Sequence, residues 1–232
     1  MTATYIVIGI TALIIGSLLI SSISYSRQQA IAKRQQKLSF YKKTTSELSS
    51  HVKLLLNVDP SFELICLLQF QIVESLKQAC KLAPKDTQLT SHLQNHAKNL
   101  NLFLQGQRQT EIVPYVTNDK ALAKAQRQLS EVTRFIEIER NKNTLEEDQC
   151  NELIEHVAHI RLNIEIESCL HQAELYKAKN DVVMFQLYIK QARDCISKSP
   201  LEFEGKHSRI KTLTETLNNV KRTNKIAIEP SE

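Results

Sequence analysis

The first 26 residues carry no Asp, Glu, Lys, Arg or His, and no other feature restricts the fold as much. Within them, Tyr5 to Ile23 is a run of 19 residues built, after the tyrosine, from Ile, Leu, Val, Ala, Gly, Thr and Ser. At about 1.5 Å of rise per residue this makes roughly 28 Å of helix, close to the hydrocarbon thickness of a bilayer. The run predicts a transmembrane helix over 5–23, preceded by a short external N-terminus, 1–4. A cleaved signal peptide would need a basic stretch, a shorter apolar core and a small-x-small cleavage site. Here no Lys or Arg precedes the run, and Ser22 with Ser24 is a poor cleavage pair. Gly9, Ala12 and Gly16 are small residues of the span, and Ala12 and Gly16 share the i, i+4 spacing that lets two such helices approach closely. They are candidates for packing within the membrane, although Gly and Ser are also ordinary components of a span.

Charge sets the orientation. Arg27, Lys33, Arg34, Lys37, Lys42 and Lys43 all precede the first acidic residue, Glu47. The positive-inside bias therefore puts the C-terminal body in the cytoplasm and the N-terminus outside. The same six residues are the candidates for contact with lipid headgroups. They also account for the excess of base. The formal net charge is +5, but residues 47–232 hold 24 basic against 25 acidic residues. One basic patch remains, formed by Lys206, Arg209, Lys211, Lys221, Arg222 and Lys225. Its simplest partner is the acidic stretch 146–167, so nucleic acid is disfavoured as a partner.

Other absences narrow the function. Of four glycines, only Gly106 and Gly205 lie outside the span. Phosphate-binding loops of the Walker or Rossmann type need several glycines at fixed spacing, so neither can be built. The G-x-S-x-G elbow and the H-E-x-x-H motif do not occur. The five cysteines, Cys66, Cys80, Cys150, Cys169 and Cys195, form no C-x-x-C pair and sit at or beside apolar positions. They read as small buried residues in a reducing compartment.

The rest of the chain reads as helices. Residues 24–57 form a basic juxtamembrane helix that continues the span. Leu38, Tyr41, Leu48, Val52 and Leu55 fall on its heptad positions, with Ile31, Arg34 and Thr45. They make either a coiled-coil seam between two chains or one face packed on the chain's own domain. Asp59 and Pro60 then restart the chain, and the helix to about Ala83 is apolar nearly all round, as the central member of a bundle would be. Pro84 and Asp86 open a third helix that ends at Gly106. An apolar strap, 107–118, follows, read as a loop packed on the core, with a partner groove or lid as the other option. A fourth helix spans about Asp119–Arg140. Thr144 and Glu147 predict a capping box for a fifth, which runs to about Lys179. Asn180-Asp181 start a sixth, and Ser199, Pro200 and Glu202 a seventh. Residues 223–232 read as a disordered tail. The expected fold is all-α: a transmembrane helix, a juxtamembrane helix and a cytoplasmic helical domain over 58–222, arranged as a bundle or an array of hairpins.

Few residues suggest chemistry. His92 and His96 are four apart on a helix, as metal ligands can be, and His156 and His159 cluster with Glu152 and Glu155. Glu204-Gly205-Lys206-His207 has the Glu-x-x-His spacing of di-iron bundles but no twin. No local pattern supports a Cys–His nucleophile pair. We therefore assign no catalytic, cofactor or metal residues and expect no enzyme.

Ser61-Phe62-Glu63-Leu64-Ile65-Cys66-Leu67-Leu68, and Ile160-Arg161-Leu162-Asn163-Ile164-Glu165 followed by the hairpin at 170–200, resemble a group of uncharacterised gammaproteobacterial proteins. These are single-span, all-helical and membrane-anchored. The resemblance covers most of the chain, implies the bacterial inner membrane as its place, and carries over no functional residues. The function expected is that of a membrane-anchored scaffold or adaptor, bound to the lipid bilayer and to a cytoplasmic protein or to a second copy of itself. The alternative is a membrane tether for nucleic acid through the basic C-terminal helix.

Overall fold

The computed structural model describes the backbone of residues 2–59, 61–107 and 111–228, and the side chains of 21–22, 24–59, 61–107 and 111–219. Among these the chain is all-helical: α1 (Thr2–Val58), α2 (Glu63–Leu82), α3 (Thr87–Leu104), α4 (Asp119–Asn141), α5 (Glu147–Ala178), α6 (Val182–Lys198) and α7 (Lys206–Ile228). Among the described residues no helix is long and apolar enough to cross a membrane. The expected span lies outside the described side chains, Gly9, Ala12 and Gly16 included; only its Ser21 and Ser22 are described, and both are exposed.

The helices form two compact units, Met1–Ser49 with Gln69–Asn101, and Ser50–Leu68 with Leu102–Glu232. The expected boundary at 57/58 falls at the α1–α2 turn, inside the second unit.

In the first unit, Leu48, Ile72, Val73, Leu76, Ala79 and Leu89 are buried. Two contacts tie α1 to the α2–α3 turn. The Arg34 guanidinium donates to the Leu82 carbonyl in the last turn of α2, where a cation suits the exposed carbonyls and the helix dipole. Lys42 Nζ lies 3.3 Å from Asp86 Oδ2. Asp86 also caps α3, accepting from Gln88 N at 3.1 Å and Leu89 N at 3.2 Å. The Leu89 amide first, and then Lys42, hold its carboxyl below the usual range.

In the second unit α5 packs on α4 and on α6, and α6 on α7. The stripe Leu153, Val157, Ile160 and Ile164 of α5 is buried, as are Ala125, Leu129, Val132 and Ile136 of α4. A further apolar core joins Ile166, Cys169 and Ala173 to Phe185, Ile189, Ala192 and Ile196 of α6 and to Leu213 and Leu217 of α7. The strap is packed against its own unit. Val113 N donates to Asn57 O at 2.7 Å, and Val116 N to the buried Ser168 hydroxyl at 2.9 Å. The Tyr115 ring stacks on His171 with 4.1 Å between centroids.

Helix ends follow the expected breaks, with three corrections. Gly106, Asn143 and Asn180 adopt φ of 69°, 54° and 57°. At each, a paired backbone hydrogen bond closes the helix, as in Gly106 N to Phe103 O and Gln107 N to Leu102 O. The capping box at Thr144 does not form. Its hydroxyl donates backward to Glu139 O and Oε2, at 2.8 and 2.9 Å, and Glu146 caps α5 without a side-chain bond. Nor does α7 begin at Ser199. Residues 199–205 are a connection, closed by Gly205 at φ 79°, and α7 starts at Lys206. Its backbone stays helical past Thr223 to Ile228, where a tail was expected.

Candidate functional site

In the second unit an open groove of about 810 Å³ lies between α5, α6 and the α6–α7 connection. Its floor has Ala158 and Leu162 of α5, Leu187 and Cys195 of α6, and Pro200 with Leu201. Arg161, Glu165, Lys190, Asp194 and Lys198 also line it, so the groove carries both signs of charge beside its apolar residues. α6 is apolar on two faces. Phe185, Ile189, Ala192 and Ile196 face the core, while Val183 and Leu187, four apart, are 76% and 51% exposed. Exposed apolar residues backed by a concavity and rimmed by charge mark an interaction surface.

A second feature joins the α1–α2 turn to α5. Asp59 is fully buried, and its Oδ1 lies 3.0 Å from His156 Nε2. Asp59 Oδ1 also accepts from Ser61 N at 2.9 Å. The Ser61 hydroxyl is 3.2 Å from the same His156 nitrogen and 3.3 Å from Asp59 Oδ2. These three residue types are those of a serine nucleophile relay, but the geometry is not. A relay needs the carboxylate on one ring nitrogen and the hydroxyl on the other, so that the imidazole can pass a proton between them. Here both address Nε2, whose proton goes to the buried carboxylate. The hydrogen bond to Asp59 raises the His156 pKa above its ordinary 6.5, against the opposing effect of burial. The cluster fixes the turn rather than activating Ser61. Beside it, a cavity of about 250 Å³ is lined by apolar side chains with His156, His159, Asn163 and Arg209.

The remaining candidates are engaged in structure. His96 receives the buried Gln69 amide, with Gln69 Nε2 at 2.7 Å from His96 O and 3.0 Å from Nδ1. Burial first, and then His92, depress the His96 pKa, which suits a neutral ring accepting at Nδ1. His159 pairs with the exposed Glu155 at 3.8 Å. Glu204 lies in the α6–α7 connection and His207 on α7, so their spacing does not put them on one helix. Among the described residues no group of three or more His, Cys, Asp or Glu converges as metal ligands would. Burial pushes the Cys169 thiol up to about 11 and, with the Glu165 carboxylate 3.2 Å away, Cys195 up to about 12. Such thiols are poor nucleophiles.

The juxtamembrane candidates divide. Arg27, Lys33, Arg34, Lys37, Lys42 and Lys43 are exposed. Of the seam residues, Leu48, Val52 and Leu55 are buried within the single chain, to 0% exposure at Leu55, whereas Leu38 and Tyr41 are half-buried. The C-terminal half of the seam therefore packs on the chain's own helices. The basic patch is also broken up. Arg209 pairs with Glu167 of the acidic stretch. Lys206 is buried and donates at 2.9 Å to Ser199 O, Leu201 O and Glu202 Oε1. Lys221, Arg222 and Lys225 lie outside the described side chains.

Sequence reasoning missed the groove, whose lining comes from three segments far apart in the chain. Comparison with protein-family models, curated proteins and solved structures found no match.

Proposed function

We propose that the chain is a membrane-anchored helical scaffold or adaptor, held by a span over 5–23, whose α5–α6 groove receives a helical segment of a cytoplasmic protein. The observation that carries this reading is the exposed Leu187 in a groove that Arg161, Glu165, Lys190, Asp194 and Lys198 also line, with Val183 exposed one turn before it on α6. An amphipathic helix lays an apolar stripe into such a groove, and flanking charges of both signs set its register. The long uncharged run and the six basic residues after it support the anchor and its orientation. The reading involves no catalysis. The seats taken by Lys206 and Arg209 favour protein over nucleic acid as the partner.

Photocrosslinking amino acids at Leu187 and at the exposed Asn99 of α3 test the groove in membranes, after nuclease treatment. The expected result is a discrete protein adduct from Leu187 that Val183→Glu removes, and none from Asn99. Equal adducts from both positions, or an adduct that disappears with nuclease, would contradict the reading.

A further inference from the structure

The anchor reading makes α1 the part of the chain nearest the bilayer, yet α1 is not alone there. The α2–α3 turn folds beside it. Arg34 donates to the Leu82 carbonyl, and Ala30, Lys33, Arg34, Gln36 and Lys37 enclose with Leu82 a surface concavity of about 340 Å³. Lys81 and Lys85 flank Leu82 in sequence, and both are exposed, as are Lys33 and Lys37. Exposed cations thus stand both on α1 and on the turn that Arg34 and Lys42 hold to it. No acid occurs before Glu47. In this unit Asp86 pairs with Lys42 at 3.3 Å, Glu47 with Lys43 at 3.8 Å and Glu74 with Lys77 at 2.6 Å. Among the described residues no ion pair engages Lys33, Lys37, Lys81 or Lys85.

Helix geometry sets the height of this surface. α1 is continuous from Thr2 to Val58, so no break separates the expected span from the cations. Counted from Ile23, Ala30 stands roughly 10 Å and Lys33 roughly 15 Å along the helix. The headgroup layer adds about 5–8 Å beyond the hydrocarbon, and the field of its anions extends about another 8 Å at physiological salt. The turn stands at the level of Arg34 to Lys42, and a tilt of about 20° toward it, ordinary for a span, brings Lys81 and Lys85 closer to the headgroups.

We propose that Lys33 and Lys37, which line the concavity that Arg34 closes on Leu82, and Lys81 and Lys85 of the adjoining α2–α3 turn form a docking surface for the anionic phospholipid headgroups of the cytoplasmic leaflet. The surface rests on the anchor reading and adds to it. The α2–α3 turn becomes a second point of attachment, and the span tilts toward it.

The test uses the full chain in nanodiscs of phosphatidylcholine, against discs in which phosphatidylglycerol replaces a quarter of it. A fluorescent amino acid at the exposed Pro84 reports approach to a headgroup-linked quencher. Quenching is expected to be roughly two-fold or more stronger in the anionic discs, and to fall with added salt. Lys81→Glu with Lys85→Glu should abolish the difference, and Lys81→Gln with Lys85→Gln should reduce it. Equal quenching in both discs, or charge-reversed protein that behaves as wild type, would overturn the proposal. So would a turn that ignores anionic discs but binds a labelled DNA duplex. Resistance to alkaline extraction separates the two claims. An embedded chain with an unquenched turn overturns this surface alone, whereas a chain that alkali releases overturns the anchor and the surface with it.

Discussion

Lys206 has its ammonium group where water barely reaches, and three oxygens hold it there. Two of them are backbone carbonyls of the α6–α7 connection, which no helix satisfies. Lys206→Met keeps the apolar stem and removes all three donors. Losing three hydrogen bonds to a charged donor, two of them on half-buried residues, costs about 1–3 kcal/mol, so the melting temperature should fall clearly. Glu202→Gln should barely change it, because Glu202 is exposed and a surface ion pair contributes little. The sequence assigned Lys206 to a basic patch. Its role depends on the carbonyls of Ser199 and Leu201, which were read as part of a helix. His156 makes a second residue-level prediction. Its folded pKa is raised, chiefly by the bond to Asp59, so its contribution to stability is fully present below the ordinary value near 6.5 and is lost as pH rises through the folded value. Nuclear magnetic resonance titration should find the ring titrating above 6.5 in wild type and lower in Asp59→Asn. His156→Gln should flatten the decline in stability over the same window. A ring that titrates alike in both proteins would refute the pairing.

At the level of the element, apolar periodicity was the most legible property. Leu129, Val132 and Ile136 of α4 and Val157, Ile160 and Ile164 of α5 recur at helical spacing within the expected fourth and fifth helices, and all are buried. The breaks at Gly106 and Asn180 were legible because left-handed backbone favours Gly and Asn. Thr144 misled because a hydroxyl can cap the helix ahead or bond to the one behind, and here the nearby Glu139 carboxylate takes it. α2 offers a direct check. Leu68 is fully buried and Phe70 is 52% exposed on the same helix. Leu68→Asp places an unpaired charge in the core, at a cost of several kcal/mol, and should abolish cooperative melting. Phe70→Asp should leave melting nearly unchanged. Leu55 behaves as Leu68 does. Leu55→Ala should destabilise the single chain by about 2–5 kcal/mol at any protein concentration, because its neighbours belong to the same chain. Self-association then falls to the span or to the half-buried Leu38 and Tyr41 of the seam. In membranes Gly16→Leu should reduce crosslinked dimer, and unchanged dimer would remove Ala12 and Gly16 from the account.

At the scale of the molecule, the sequence could be read for fold class because helical patterning is local. The groove could not be read, because it arises where three segments meet and Leu187 gains meaning only beside Leu162 and Leu201. The basic concavity was half legible. The cations on α1 stood out as an uncompensated run, but nothing in the sequence brought Lys81 and Lys85 to them. All of these surfaces serve a scaffold only if the chain is anchored with its body on the inner side. That claim rests on the uncharged run to Ser26 and the six cations before Glu47. Two reporters fused in turn after Glu232 test it most directly, one active only in the cytoplasm and one only outside. The account predicts an active cytoplasmic reporter, a silent external one, and both fusions retained in the membrane fraction. An active external reporter with a silent cytoplasmic one, or release of the fusions into the soluble fraction, would contradict it.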